Sequence, residues 1–191
     1  LKQFHCAETE KYPDVTYFIN GGREDPYPGE KRVLIPSPNV ATYDLKPEMS
    51  CREVAEEVIR AIKNEEYKLI VVNFANGDMV GHTAIKDAII QAMSELDAAL
   101  GEVVCEALGA NVATLITADH GNCDEINNPK TGNPNTQHSR NPVPCIIIDN
   151  NKKWEIINNN GGLSNVTPTV LTLMGIPKPK EMTSDSLIKE N

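Results

Sequence analysis

The chain has 191 residues, 40% of them hydrophobic and 24% charged, the composition of an ordinary soluble globular protein with room for one good core. A net charge of −9 argues against nucleic acid or an anionic membrane as a partner. It leaves an acidic substrate open, because a bound metal reverses the local field.

In chain order, VTYFING from Val15 reads as a strand closed by the turn Asn20-Gly21-Gly22. The stretch REDPYPGEKRVLIPSPN that follows is rich in proline and charge and reads as an irregular surface loop. Ser50-x-x-Glu53 is a capping box, with Val54, Val58 and Ile62 as an apolar stripe behind it. KLIVVNF from Lys68 is a buried-strand run. Ile85, Ala88, Ile89, Ala92, Met93, Leu96, Leu100 and Val103 recur at helical spacing and predict a long helix up to Gly109. NVATLITA and VPCIIID, from Val143, are further strands. NVTPTVLTLMG predicts a short helix from Asn165 that stops at Gly175. The alternation is that of an α/β fold, a mostly parallel sheet with crossover helices on both faces.

No run of about 18 apolar residues is present, so no membrane-spanning helix is expected. The five cysteines, an odd number without a C-x-x-C pair, read as free thiols in a reducing, cytoplasmic setting. Cys51, Cys105 and Cys145 read as small packing residues. The opening LKQFHCAETEKY has no signal-peptide apolar core and no initiator Met, so a piece of a longer chain is expected.

The chemistry concentrates in three polar groups beside predicted strands. Asp78 and His82 stand four residues apart in NGDMVGHT, just past KLIVVNF; Asp119 and His120 are adjacent at the end of NVATLITA; His138 lies in the loop leading into VPCIIID. The first two groups fall at carboxyl ends of strands, where open α/β sheets bind ligands. His138 precedes its strand, so a loop must carry it back over that edge. Carboxylate with neutral imidazole suits Mn²⁺ or Zn²⁺. Asp78 and His82 can face one ion, while the neighbours Asp119 and His120 can serve two ions, or one ion and a substrate. Two metals close together are a common device for phosphoryl transfer. Because a ligating imidazole must be neutral, metal affinity should fall as the pH drops toward the ordinary imidazole value of about 6.5. Cys123, three residues after His120, is either a thiol-sensitive position beside this site or a packing residue.

The motifs GDMVGHT, TADHGN and QHSRNPVP, with AETEKYPDVTYFINGG before them and VLIPSPNVATYD, resemble those of the cofactor-independent phosphoglycerate mutase family of the alkaline phosphatase superfamily. The likeness runs through almost the whole chain, in the family's order. It implies an alkaline-phosphatase-like fold and a glycolytic isomerase that interconverts 3-phosphoglycerate and 2-phosphoglycerate through a phosphoserine. It also implies two Mn²⁺ ions and no need for 2,3-bisphosphoglycerate. Carried over by position, Asp78, His82 and His138 resemble the protein ligands of one manganese. Asp119 and His120 resemble two ligands of the second, and Lys11 resembles the lysine that reaches the phosphoryl group and the nucleophile. His5 matches no ligand position.

The family's remaining aspartate ligand, its nucleophilic serine and its glycerate-binding transferase domain have no match here. Ser37, Ser94 and Ser139 do not stand in the nucleophile's setting. Residues 1–191 therefore resemble the C-terminal part of the phosphatase domain, an incomplete domain expected to be inactive alone. Its expected partners are the missing N-terminal part of the same enzyme and, in the intact enzyme, the phosphoglycerate substrate. Other readings stay open: a related phosphopentomutase or phosphodiesterase, a non-catalytic metal-binding module, or a plain α/β domain that binds no metal. AETEKY and VLIPSPNVATYD argue against the first.

Overall fold

A computed structural model describes residues 1–191 and divides them into two compact units, one formed by residues 1–110 and 120–142, the other by 111–119 and 143–191. The fold is α/β. The first unit is built on a parallel sheet of three strands, β1 (Gln3–Glu8), β2 (Glu30–Ile35) and β3 (Leu69–Asn73), in the order β2-β1-β3. In the register of this sheet Cys6 stands between Val33 and Val72.

Side chains alternate across a strand, and β1 shows both faces in use. Phe4 and Cys6 enter an apolar core with Val54, Val58 and Ile62 of helix α1 (Cys51–Lys63) and Ala99, Val103 and Ala107 of helix α3 (Lys86–Gly109). His5 points the other way, and its Nδ1 meets the Val15 carbonyl. That carbonyl belongs to a single wide helical turn, Asp14–Phe18. One face of the sheet is thus covered by the two long helices and the other by a short turn.

Several sequence expectations are corrected here. VTYFING is not a strand. Pro13 precedes it, the Thr16 hydroxyl donates back to the Tyr12 carbonyl at 2.7 Å, and the chain coils over His5. The strands that open the sheet are β1, which the sequence pattern does not announce, and β2, which lies inside the stretch read as a loop. Ser50 precedes α1, but its hydroxyl donates to the Pro36 carbonyl at 2.8 Å and makes no cap bond. The expected helices and β3 are present. The stripe of α1 is buried, while β3 and the apolar side of the last predicted helix are half-buried. Along α3, Ala88, Ile89, Ala92 and Val103 are buried, and Ile85 and Met93 are exposed.

The second unit contains β4 (Thr114–Thr117), β5 (Cys145–Ile148), β6 (Trp154–Ile156), helix α4 (Val166–Leu173) and β7 (Ile188–Glu190). Here the strands pair antiparallel, β4 with β5 and β6 with β7, where a parallel arrangement was expected. The pairing sets Thr117 opposite Cys145. The residues between the end of β4 and the start of β5 are therefore an excursion whose two ends lie side by side. On α4 the fully buried Thr169 hydroxyl accepts the Leu187 N–H at 2.9 Å, tying the helix to the segment that enters β7. No helix of the chain is long and apolar enough to cross a membrane.

Candidate metal centre

In the first unit the chain leaves β3 at Asn73 and enters a short helix, α2 (Asn76–Gly81). Asn76 anchors it, donating from its buried amide to the Pro47 and Glu48 carbonyls. Asp78 lies in the first turn and His82 closes the helix, its N–H bonded to the Asp78 carbonyl at 3.0 Å. Residues four apart share a helix face, and both side chains turn to the same point. His138 reaches that point from the loop.

The three side chains converge closely. His82 Nε2 and His138 Nε2 each lie 3.0 Å from Asp78 Oδ1, and 3.2 Å from each other. Ions of the Mn²⁺ and Zn²⁺ class bind nitrogen and oxygen at about 2.0–2.2 Å, which puts adjacent ligands about 3 Å apart. The spacing fits such an ion. The donor chemistry fits as well. His82 Nδ1 stands 2.7 Å from the Thr136 carbonyl, so the neutral ring donates there and turns its lone pair at Nε2 toward the cluster. A backbone carbonyl behind a ligating imidazole is the usual second layer of a metal site. The His82 lone pair so placed faces the Asp78 Oδ1 oxygen at 3.0 Å, a contact that repels unless a cation or a proton lies between them.

Lys11 enters from the turn after β1. Its Nζ lies 2.8 Å from Asp78 Oδ2, and both side chains are nearly buried. Asn122 donates from Nδ2 to Asp78 Oδ1 at 2.9 Å and to the Asp78 carbonyl at 3.2 Å. Burial alone would raise the Asp78 carboxyl. The hydrogen bonds from Lys11 and Asn122, with the charge of Lys11, overcome it and bring the group down to about 2. Asp78 is thus a permanent anion at any physiological pH.

His120 stacks on His138 with ring centroids 3.6 Å apart and planes 17° from parallel, and its Nε2 lies 4.0 Å from Asp78 Oδ1. It stands beside the cluster without joining the three converging groups. Asp119 follows β4 in the second unit and is exposed. The loop that carries His120 and His138 is pinned by Asp124. Its carboxylate accepts from Ser139 Oγ at 2.8 Å and from Asn141 Nδ2 at 2.7 Å. Cys123 packs against α2 and donates to the Gly77 carbonyl at 2.8 Å, while burial, aided by the charges of Asp124 and Asp78, pushes its thiol up to about 11. Of the two roles considered for Cys123, packing is the one its surroundings support.

Two buried polar residues are not singled out by the sequence pattern. Asn122 could have been found as the residue completing ADHGN. Glu8, at the end of β1, is fully buried. Its Oε2 accepts from Ser37 Oγ at 3.1 Å, while its Oε1 has no hydrogen-bond partner. Only its place three residues before Lys11 in AETEKY could have drawn attention to it.

The metalloenzyme superfamily profile matches residues 1–178. The chain is 52% identical, over 191 residues, to the 2,3-bisphosphoglycerate-independent phosphoglycerate mutase of Symbiobacterium thermophilum, covering 100% of this chain and 37% of that protein. It is likewise 52% identical over 188 residues to the mutase of the same name from Rhodopseudomonas palustris, covering 98% of this chain and 36% of the relative. A crystal structure of Leishmania mexicana phosphoglycerate mutase at low cobalt concentration superimposes with a TM-score of 0.91 at 34% identity, covering 100% of this chain and 38% of that one. The chain therefore spans a little over a third of the length of the relatives it matches.

Proposed function

We infer that this chain, which belongs to the metalloenzyme superfamily, is the metal-holding C-terminal part of the phosphatase domain of a 2,3-bisphosphoglycerate-independent phosphoglycerate mutase. The observation that carries this reading is the convergence of Asp78, His82 and His138 on one point beside a nearly buried lysine. The identity to relatives of that name, over 98–100% of this chain, supports the reaction. The intact protein then interconverts 3-phosphoglycerate and 2-phosphoglycerate through a phosphoserine, in glycolysis and gluconeogenesis, in the cytoplasm. The serine and the glycerate-binding groups belong to the remainder of the protein, and residues 1–191 alone are not a competent mutase.

In this reading Asp78, His82 and His138 hold one Mn²⁺, and Asp119 and His120 supply two ligands of a second. Cations bound there lower the cost of bringing a dianionic phosphoryl group to an anionic nucleophile. The chain's own residues prepare that encounter. Asp78, held ionised, contributes a fixed negative charge to the ligand set. The Thr136 carbonyl keeps the His82 ring in the tautomer that offers Nε2. Lys11, pinned by Asp78 Oδ2, holds a positive charge at the edge of the cluster, where it neutralises charge on the oxygens of the transferring group.

A chimera tests the assignment. The segment of the Symbiobacterium thermophilum mutase that matches this chain is replaced by residues 1–191, and conversion of 3-phosphoglycerate is followed without added 2,3-bisphosphoglycerate. The expected result is turnover that needs a divalent cation and disappears with Lys11→Met. A chimera that folds and takes up Mn²⁺ yet shows no turnover overturns the assignment.

A further inference from the structure

Asn122 is 6% exposed, and both groups that its amide faces, Asp78 Oδ1 and the Asp78 backbone carbonyl, are acceptors. The nitrogen end must therefore point at Asp78. That choice leaves Asn122 Oδ1 buried on the other side without a hydrogen-bond partner, an arrangement that costs free energy. The helix makes space for it. A Cβ placed on Gly81 would lie 2.4 Å from Asn122 Oδ1 and 2.6 Å from its Cγ, so the amide occupies the volume a side chain at Gly81 would need. The next residue, Cys123, fastens to the Gly77 carbonyl of the same helix. The turn after His120 is thus stapled to α2 at two successive positions.

The consequence for Asp78 is geometrical. Oδ2 is engaged by Lys11, and Oδ1 must serve the two imidazoles. With the Lys11 bond alone the carboxylate could still rotate. Asn122 fixes the second oxygen, and by gripping the carbonyl of the same residue it fixes the side chain relative to its own backbone. We propose that Asn122 is the positioning residue that holds Asp78 Oδ1 toward the His82 and His138 nitrogens, so that the chain presents a preformed three-ligand site for a divalent cation. The proposal rests on the reading of Asp78, His82 and His138 as metal ligands. It places Asn122 in the layer behind them, where loss of a partner typically costs 10–100-fold in metal affinity.

The test is a titration of the purified, chelator-stripped chain with Mn²⁺ alone, following the free-ion electron paramagnetic resonance signal, for the wild type, Asn122→Ala, Gly81→Ala and His82→Ala. Melting curves by circular dichroism accompany each. The expected result is saturable wild-type binding lost in His82→Ala, and a dissociation constant raised about 10–100-fold in Asn122→Ala at unchanged stoichiometry. Gly81→Ala, which keeps every polar group and favours helix, should weaken binding to a similar degree by displacing the amide. An Asn122→Ala chain with lowered melting temperature but wild-type affinity has lost only packing, and overturns the proposal while leaving the metal site standing. If Asn122→Ala does not fold, Gly81→Ala decides alone, its wild-type affinity overturning the proposal and its weakened affinity upholding it. Wild-type binding that His82→Ala does not weaken, or no wild-type binding at all, overturns the metal site and the proposal together.

Discussion

Glu8→Gln is expected to make the protein more stable at alkaline pH and to leave it nearly unchanged at pH 5. Glu8 ends the central strand of the parallel sheet with its carboxyl fully buried. Burial pushes that group up from an ordinary carboxylate value to about 7. Hydrogen bonds from the Ser50 backbone and the Ser37 hydroxyl oppose the rise, and the charges of Glu53 and Glu10 add to it. A carboxyl raised in the folded state binds its proton more tightly there than in the unfolded chain. Its contribution is complete below about 4.5 and is lost as the pH climbs through 7. Each tenfold gain in proton affinity on folding is worth about 1.4 kcal/mol. Between pH 5 and pH 8 the wild type should therefore lose roughly 2–3 kcal/mol that the glutamine variant keeps. Other titrating groups contribute alike to both proteins and cancel in the difference. Urea unfolding of both proteins at the two pH values reads the quantity. Parallel pH dependences would mean instead that Glu8 is ionised in the folded protein well below pH 7.

The burial that raises Cys123 to about 11 predicts that iodoacetamide at pH 8 labels it more slowly than the exposed Cys105, as read by mass spectrometry of the peptides. Equal labelling would show that the contact with Gly77 opens readily. Since imidazoles bind metal only when neutral, Mn²⁺ affinity should fall steadily from pH 8 to pH 5. A flat profile would count against histidine ligation.

Much of the site is written in short range. Asp78-x-x-x-His82 is a local helical spacing, and the adjacent pair Asp119-His120 after an apolar run is visible without any fold. The polar residues after β3 and β4 mark the segments that carry these side chains. What cannot be read is pairing. β1 carries His5 and Glu8 inside its span, and both are buried because the fold supplies the Val15 carbonyl and the Ser37 hydroxyl from elsewhere. Such residues interrupt the apolar run by which buried strands are recognised. VTYFI has the composition of a strand, yet Tyr17, Phe18 and Ile19 are exposed, and the local bond of Thr16 to Tyr12 takes precedence. The direction of β5 is likewise absent from its four residues, since a strand's sequence does not state whether its neighbour runs with it or against it. Asn122 is visible as the end of ADHGN, but its role stays hidden because it depends on the missing side chain of Gly81, a complementarity that joins residues far apart in the chain.

Asp78, His82 and His138 converge as one candidate cation site. Its most direct test is calorimetric titration of the stripped chain with Mn²⁺, wild type beside His138→Ala. The expected result is saturable binding at about one ion per chain, abolished or weakened at least tenfold by removing an imidazole that stands 3.0 Å from Asp78 Oδ1. Binding that persists undiminished in His138→Ala would contradict it.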